Sequence, residues 1–115
     1  MRISTISAVI ALAAAALTAP AQAQDSYARS LAGTCTACHG TDGRSVGGIP
    51  PALAGQDKNY LLQALKDFKA DKRPATIMHQ LAKGYTDEQL ELLATHFSGM
   101  KAAPATAAPT ARPTY

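Results

Sequence analysis

The chain has 115 residues, 47% of them hydrophobic, 17% charged and 5% aromatic, with no tryptophan. That length holds one small domain, and so few aromatics build only a thin core, of the kind a staple or cofactor usually completes. The formal charge of +3 includes Arg2, which sits in a removable leader; without it the balance is 3 − 1 = +2, and export also argues against nucleic acid as a partner.

The N-terminus has the parts of a secretory signal: Arg2 as the positive region, an apolar run over Val9 to Leu17, and Ala21-Gln22-Ala23 as a small-residue cleavage site. The apolar run is shorter than the ~20 residues that span a bilayer, which weighs against an uncleaved anchor. Residues 1–23 are therefore expected to be a signal peptide, with a mature domain over 24–100. The expected location is the bacterial periplasm, with no membrane anchor after cleavage.

Asp25 to Ala37 is compatible with a first helix, capped by Asp25 or Ser26, with Tyr27, Leu31 and Thr34 at helical spacing and Arg29 and Ser30 facing away. Gly33 in its middle either allows close contact with another helix or marks fraying. The helix delivers Cys35-Thr36-Ala37-Cys38-His39-Gly40, the attachment pattern of a covalent haem c. Two thiols this close can add to vinyl groups on adjacent pyrrole rings, and the next residue, His39, is then left under the iron as an axial ligand. Cys35 and Cys38 are the only cysteines, so a disulfide and a zinc half-site are the alternatives. A thioredoxin-like pair would need a βαβ pattern, which is not visible. A zinc site would need two more ligands, and neither His79 nor His96 follows at the usual spacing.

Gly40 to Gly55 reads as loop, with turn signals at Asp42-Gly43 and Gly47-Gly48 and a stop at Pro50-Pro51. A loop of this length in a small domain points to function. Pro51-Ala52-Leu53 is expected to place a backbone carbonyl near His39 Nδ1, which would orient the ring; the alternative is that Pro51 is a plain turn residue. Asp57 to Ala70 reads as a second helix capped by Asp57, with a stripe of Tyr60, Leu61, Ala64, Leu65 and Phe68. Tyr60 and Phe68 are expected in the core, against a haem face or edge.

Asp71-Lys72-Arg73-Pro74 ends that helix, and Met78 and His79 follow on a loop or short helix. Lys83-Gly84-Tyr85 reads as a C-cap with Gly84 left-handed. Thr86 to Gly99 is the last helix, opened by a Thr-x-x-Gln capping box and striped with Leu90, Leu93, Ala94 and Phe97. His96 falls beside that stripe and is expected on the surface. Residues 101–115 are Ala-, Pro- and Thr-rich and read as a disordered tail. The whole is expected to be all-α.

The sixth iron position would decide the chemistry. A methionine thioether raises the potential and closes the iron, giving an electron carrier; two histidines give a lower-potential carrier; an open position gives a sensor or enzyme. Met78 is the favoured ligand for its place in a loop, with His79 as the main rival and Met100 poorly placed beyond the last helix. No acid–base constellation is apparent among the scattered carboxylates, so the chain is expected not to be an enzyme by itself. Lys66, Lys69, Lys72, Arg73 and Lys83 flank Met78 and form either a docking rim or an ordinary solvated face.

With the haem motif, Pro51-Ala-Leu-Ala-Gly-Gln and the downstream methionine in place, the sequence resembles class I cytochromes c over essentially the whole mature domain. The run from Phe68 to Asp87, with Thr-Ile-Met78 and Ala-Lys-Gly-Tyr85, is similar to the cytochrome subunit of flavocytochrome c sulfide dehydrogenase. The resemblance implies a fold of N- and C-terminal helices packed around one covalent haem. It implies thioethers at Cys35 and Cys38, with His39 and Met78 axial. It also implies a sulfide-oxidising flavoprotein, or another periplasmic redox protein, as partner. Some members carry two haem domains and this sequence has one motif, which leaves a dedicated subunit and a free shuttle both open.

Overall fold

A computed structural model describes residues 19–102. The positive and apolar parts of the leader, and the tail from residue 103 onward, lie outside the described residues. Among the described residues four α-helices follow in order: α1 Ala19–His39, α2 Lys58–Lys69, α3 Met78–Lys83 and α4 Asp87–Ser98, with a 3₁₀ turn at Thr41–Gly43. No strand occurs among the described residues. Helix α4 packs against both α1 and α2, and α2 packs against α3.

The last helix is the centre of the core. Leu90, Leu93, Ala94 and Phe97 are all buried along one face, and Ala32 from α1 and Leu61 from α2 complete the cluster. Its start is set by the expected capping box: Thr86 Oγ1 accepts from Gln89 N–H, and Gln89 Oε1 accepts from Thr86 N–H. Helix α2 begins where Asp57 accepts from Tyr60 N–H. It ends in a Schellman turn, in which Asp71 takes a left-handed φ of 58°, Lys72 N–H reaches Asp67 O and Asp71 N–H reaches Phe68 O.

Helix α1 departs from its expected form in two ways. It starts at Ala19 and not near Asp25, because the Ala- and Gln-rich stretch before Asp25 has good helix propensity. Its buried face is also shifted by one residue: Ala28 and Ala32 are buried while Tyr27 and Thr34 are exposed. The small alanines let α1 approach α4 closely, and Tyr27 instead uses its hydroxyl to accept from Gln89 Nε2 at 2.7 Å. Gly33 does neither of the expected things. The helix runs on to His39, and a Cβ at Gly33 would meet nothing within 4 Å.

The turn after α3 also differs. Gly84 is right-handed, with φ −74° and ψ −6°. The end of α3 tightens by i→i+3 bonds, Gly84 N–H to Leu81 O and Tyr85 N–H to Ala82 O, so no left-handed residue is needed. His96 is half-buried, with its ring edge-on to Phe97 at 5.2 Å, where a fully surface position was expected.

Candidate functional site

The last turn of α1, the loop after it, the inner face of α2 and the start of α3 enclose a largely apolar cavity of about 420 Å3. That volume falls within the ~300–1,000 Å3 usual for small-molecule and cofactor sites. Cys35, Cys38, His39, Pro51 and Met78 all line it. The walls between them are Leu53, Leu61, Ala64, Leu65, Phe68, Leu81, Tyr85 and Phe97.

His39 is the one buried polar residue among those described, at 7% exposure. Its Nδ1 lies 2.6 Å from the carbonyl oxygen of Pro51. A carbonyl only accepts, so Nδ1 carries the proton and Nε2 is the basic nitrogen left for the cavity. The loop reaches this position through Gly43. At φ +73° Gly43 turns the chain against Phe97, and its carbonyl accepts from Leu53 N–H at 2.8 Å and Ala54 N–H at 3.2 Å. Gly55 N–H then bonds to Phe97 O at 2.9 Å. The segment presenting Pro51 is thus held at its far end by backbone bonds to Gly43 and to α4.

Cys35 is half-buried and Cys38 exposed, and no disulfide joins them. Burial pushes the Cys35 thiol above its ordinary pKa; a backbone hydrogen bond opposes this and Cys38 reinforces it. A redox-active Cys-x-x-Cys pair needs the reverse, a thiol held low. No group of three or more His, Cys, Asp or Glu side chains among the described residues is arranged to hold a metal ion, which leaves a zinc site without its ligand set.

His79 and Met100 rival Met78 in the sequence, and the structure places neither of them, nor His96, in the cavity. His79 Nε2 is bonded to Arg73 O at 2.6 Å. His96 and Met100 line a separate groove between α1 and α4. Met78 itself is half-buried at the start of α3.

Tyr60 and Phe68 line the cavity but are not core residues. Tyr60 is 49% exposed. The Arg73 guanidinium lies over both rings, 5.6 Å from the Tyr60 centroid and 5.3 Å from that of Phe68, and donates to the Tyr60 hydroxyl at 3.2 Å. Arg73 was expected on either a docking rim or an ordinary solvated face, yet it lines the cavity. It makes no ion pair with a carboxylate among the described residues. Two other members of that rim are neutralised, Lys69 by Asp87 and Lys83 by Asp71, each at 2.7 Å. Basic residues in a mixed-charge run carry no sequence signal that separates these roles.

The donor set fits haem c. Two thiols and an imidazole come from one helix end, a thioether from another element, and the space between is apolar and large enough for a cofactor. Arg73 adds a cation at the wall, suited to the carboxylates that haem carries. Cys35 and Cys38 would hold the group covalently, and His39 and Met78 would take its iron.

The comparisons with known proteins agree with this geometry. The cytochrome c family model matches residues 21–101. The chain is 40% identical over 76 residues to the cytochrome subunit of sulfide dehydrogenase of Chlorobaculum tepidum, covering 66% of this chain and 68% of that one. It is 38% identical over 72 residues to cytochrome c-554(548) of Halomonas halodenitrificans, covering 60% of this chain and 87% of that one. It is 34% identical over 100 residues to the thiosulfate dehydrogenase electron acceptor of Stutzerimonas stutzeri, covering 79% of this chain but only 46% of that one. Motif, helical fold, cavity and similarity converge, and the chain belongs to the cytochrome c family as a haem c electron carrier with the class I fold.

Proposed function

We propose that the chain is a single-haem electron carrier of the bacterial periplasm, attached to its haem through Cys35 and Cys38, with His39 and Met78 as axial ligands and Pro51 as the acceptor that orients His39. The observation that carries this reading is the sorting of donors: His39 and Met78 line one apolar cavity, while His79 is bonded elsewhere and Met100 lines another groove. When bound, the haem supplies a one-electron iron couple. A thioether donor at Met78 favours the reduced iron, and the Pro51 hydrogen bond strengthens His39 as a donor. Met78→Ala should lower the reduction potential, abolish the thioether-to-iron charge-transfer band of the oxidised protein and admit carbon monoxide. Met100→Ala should do none of these. Retention of the band in Met78→Ala would remove Met78 as the ligand.

Export rests on the leader sequence, Arg2 with the apolar run Val9 to Leu17 and Ala21-Gln22-Ala23. No helix among the described residues is long and apolar enough to cross a membrane. Cleavage after Ala23 would take the first turn of α1 and leave both of its buried alanines, Ala28 and Ala32, in place.

For the partner, we infer a sulfide-oxidising flavoprotein, with the chain as its haem subunit or acceptor and no catalysis of its own. The support is that one relative is named as a sulfide dehydrogenase subunit and another as a thiosulfate dehydrogenase acceptor. A free soluble shuttle is the second reading, favoured by the match to 87% of the length of cytochrome c-554(548). Native co-purification separates them: a flavin-containing partner selects the subunit, and a flavin-free monomer selects the shuttle. Of the basic rim, Lys66, Lys72 and Arg73 make no ion pair with a carboxylate among the described residues; Arg73 lines the cavity, which leaves Lys66 and Lys72 for docking. Docking through them predicts transfer rates that fall steeply with ionic strength; a flat response removes the rim.

A further inference from the structure

Helix α3 has six residues, Met78–Lys83, and its N-cap, Ile77, makes no side-chain capping bond. A helix that short does not hold itself, so tertiary contacts must fix where Met78 points. At its far end Lys83 donates to both carboxylate oxygens of Asp71, at 2.8 and 2.7 Å, but that pair is exposed and open to screening by salt. The contact at the near end is of another kind. His79 is half-buried, its Nε2 lies 2.6 Å from Arg73 O, and its ring stands edge-on to Phe68 at 6.1 Å. Phe68 belongs to α2 and carries the Arg73 guanidinium 5.3 Å from its centroid.

We propose that His79 is the positioning residue that aims Met78 at the haem iron. Neighbouring side chains on an α-helix point ~100° apart. Pinning the His79 ring between Phe68 and Arg73 O therefore fixes the rotation of α3 about its axis, and with it the direction of Met78. Because Arg73 O can only accept, His79 works as the Nε2–H tautomer, and the donor is what matters, not the basicity of the ring. The role is that of a strut and not of a spare ligand: Nε2 is committed to a carbonyl and the ring does not line the cavity. The proposal rests on the reading of Met78 as the axial ligand.

The test uses the oxidised holoprotein with azide as a competitor for the Met78 position, in four forms: wild type, His79→Phe, His79→Gln and Met78→Ala. Phenylalanine keeps an aromatic edge for Phe68 but has no donor; glutamine keeps an N–H donor. His79→Phe is expected to bind azide ~5-fold more tightly than wild type and to weaken the thioether–iron band, the equilibrium equivalent of one net hydrogen bond. His79→Gln is expected to restore both to within about twofold of wild type, well inside the effect of one hydrogen bond. Wild-type band and azide affinity in His79→Phe would overturn the proposal. So would a His79→Gln variant as loosened as His79→Phe, since packing and not the donor would then be responsible. A band that survives in Met78→Ala would instead remove the Met78 reading, and the proposal with it. Should His79→Phe give no folded holoprotein, nitrogen-15 NMR of wild type decides: a proton on Nε2 supports the strut, and a ring protonated on Nδ1 alone overturns it.

Discussion

Gly43→Ala is the sharpest test of how the loop is held over the site. Gly43 is buried at φ +73°, and a Cβ there would lie 2.8 Å from Phe97 Cδ1, 2.9 Å from Phe97 Cε1 and 3.1 Å from Leu53 Cβ. Two costs follow. A Cβ in the left-handed region costs about 1–2 kcal/mol, and forcing a methyl into a filled core costs a further ~1–3 kcal/mol. Phe97 cannot swing away, since it is 3% exposed in the middle of the core. The sum, about 2–5 kcal/mol, is a large part of the ~5–15 kcal/mol that holds a domain together. Gly47 is the internal control. It has φ +83° but nothing within 4 Å of a Cβ, so Gly47→Ala carries only the first cost. The assay is urea unfolding of the oxidised holoprotein followed by far-ultraviolet circular dichroism, with thermal melts alongside. Gly43→Ala should melt roughly 10 °C or more below wild type, given ~4–8 °C per kcal/mol for a domain of this size, with Gly47→Ala in between. Equal midpoints for the two variants would refute the argument that Phe97 and Gly43 are in close contact. Because the Gly43 carbonyl holds Leu53 and Ala54, Gly43→Ala should also loosen the Pro51 acceptor and shift the reduction potential, whereas Gly47→Ala should not.

The same structure sets three further expectations. Gly33→Ala should stabilise the holoprotein by about 0.8–1.0 kcal/mol in the same unfolding assay, because Gly33 is an exposed mid-helix glycine with open space where the Cβ would go. Leu90→Ala should cost about 2.7–5 kcal/mol, since Leu90 is 0% exposed at the centre of the core and its loss leaves a cavity between α4 and its neighbours. Asp71→Asn probes acid sensitivity: the Lys83 hydrogen bond above all holds the Asp71 carboxyl below its ordinary 3.8, against desolvation, with the charges of Lys83 and His79 adding to the lowering. A folded pKa below the unfolded one gives stability that is whole above the ordinary aspartate range and lost as pH falls through the lowered value. The stability gap between wild type and Asp71→Asn should therefore be open at neutral pH, close in acid, and narrow in high salt because the pair is exposed; a gap that persists in acid would contradict it. Asn tolerates the left-handed φ of 58° at this position, so the substitution isolates the charge.

Local chemistry was legible in the residues themselves. The Cys35-to-His39 spacing, the Asp57 cap, the Thr86–Gln89 capping box and the Leu90-to-Phe97 stripe are relations between residues within a turn or two, and the structure keeps each of the helical ones. What failed was of a different order. The buried face of α1 consists of alanines, which carry almost no hydrophobic signal and are chosen by the closeness of α4. The end of α3 needed no left-handed glycine, because its last carbonyls were met by tighter bonds. The basic run after α2 separates into Arg73 on two aromatic rings, Lys83 on Asp71 and Lys69 on Asp87 only once the helices are packed.

The sequence by itself determined that this chain has a haem attachment motif and which few residues could serve the iron. Covalent attachment and the first ligand depend on a spacing of three and four residues along one helix, and such a spacing is written in the chain. Met78 is favoured over His79 and Met100 for its place in a loop, but helical period alone does not say which face meets a cavity. Tertiary structure separates these residues in space: the Gly43 turn brings Pro51 to His39, the Arg73 carbonyl takes His79, and His96 on α4 and Met100 just beyond it line another groove. The two histidine placements share one cause: a backbone carbonyl, of Pro51 for His39 and of Arg73 for His79, takes a ring nitrogen.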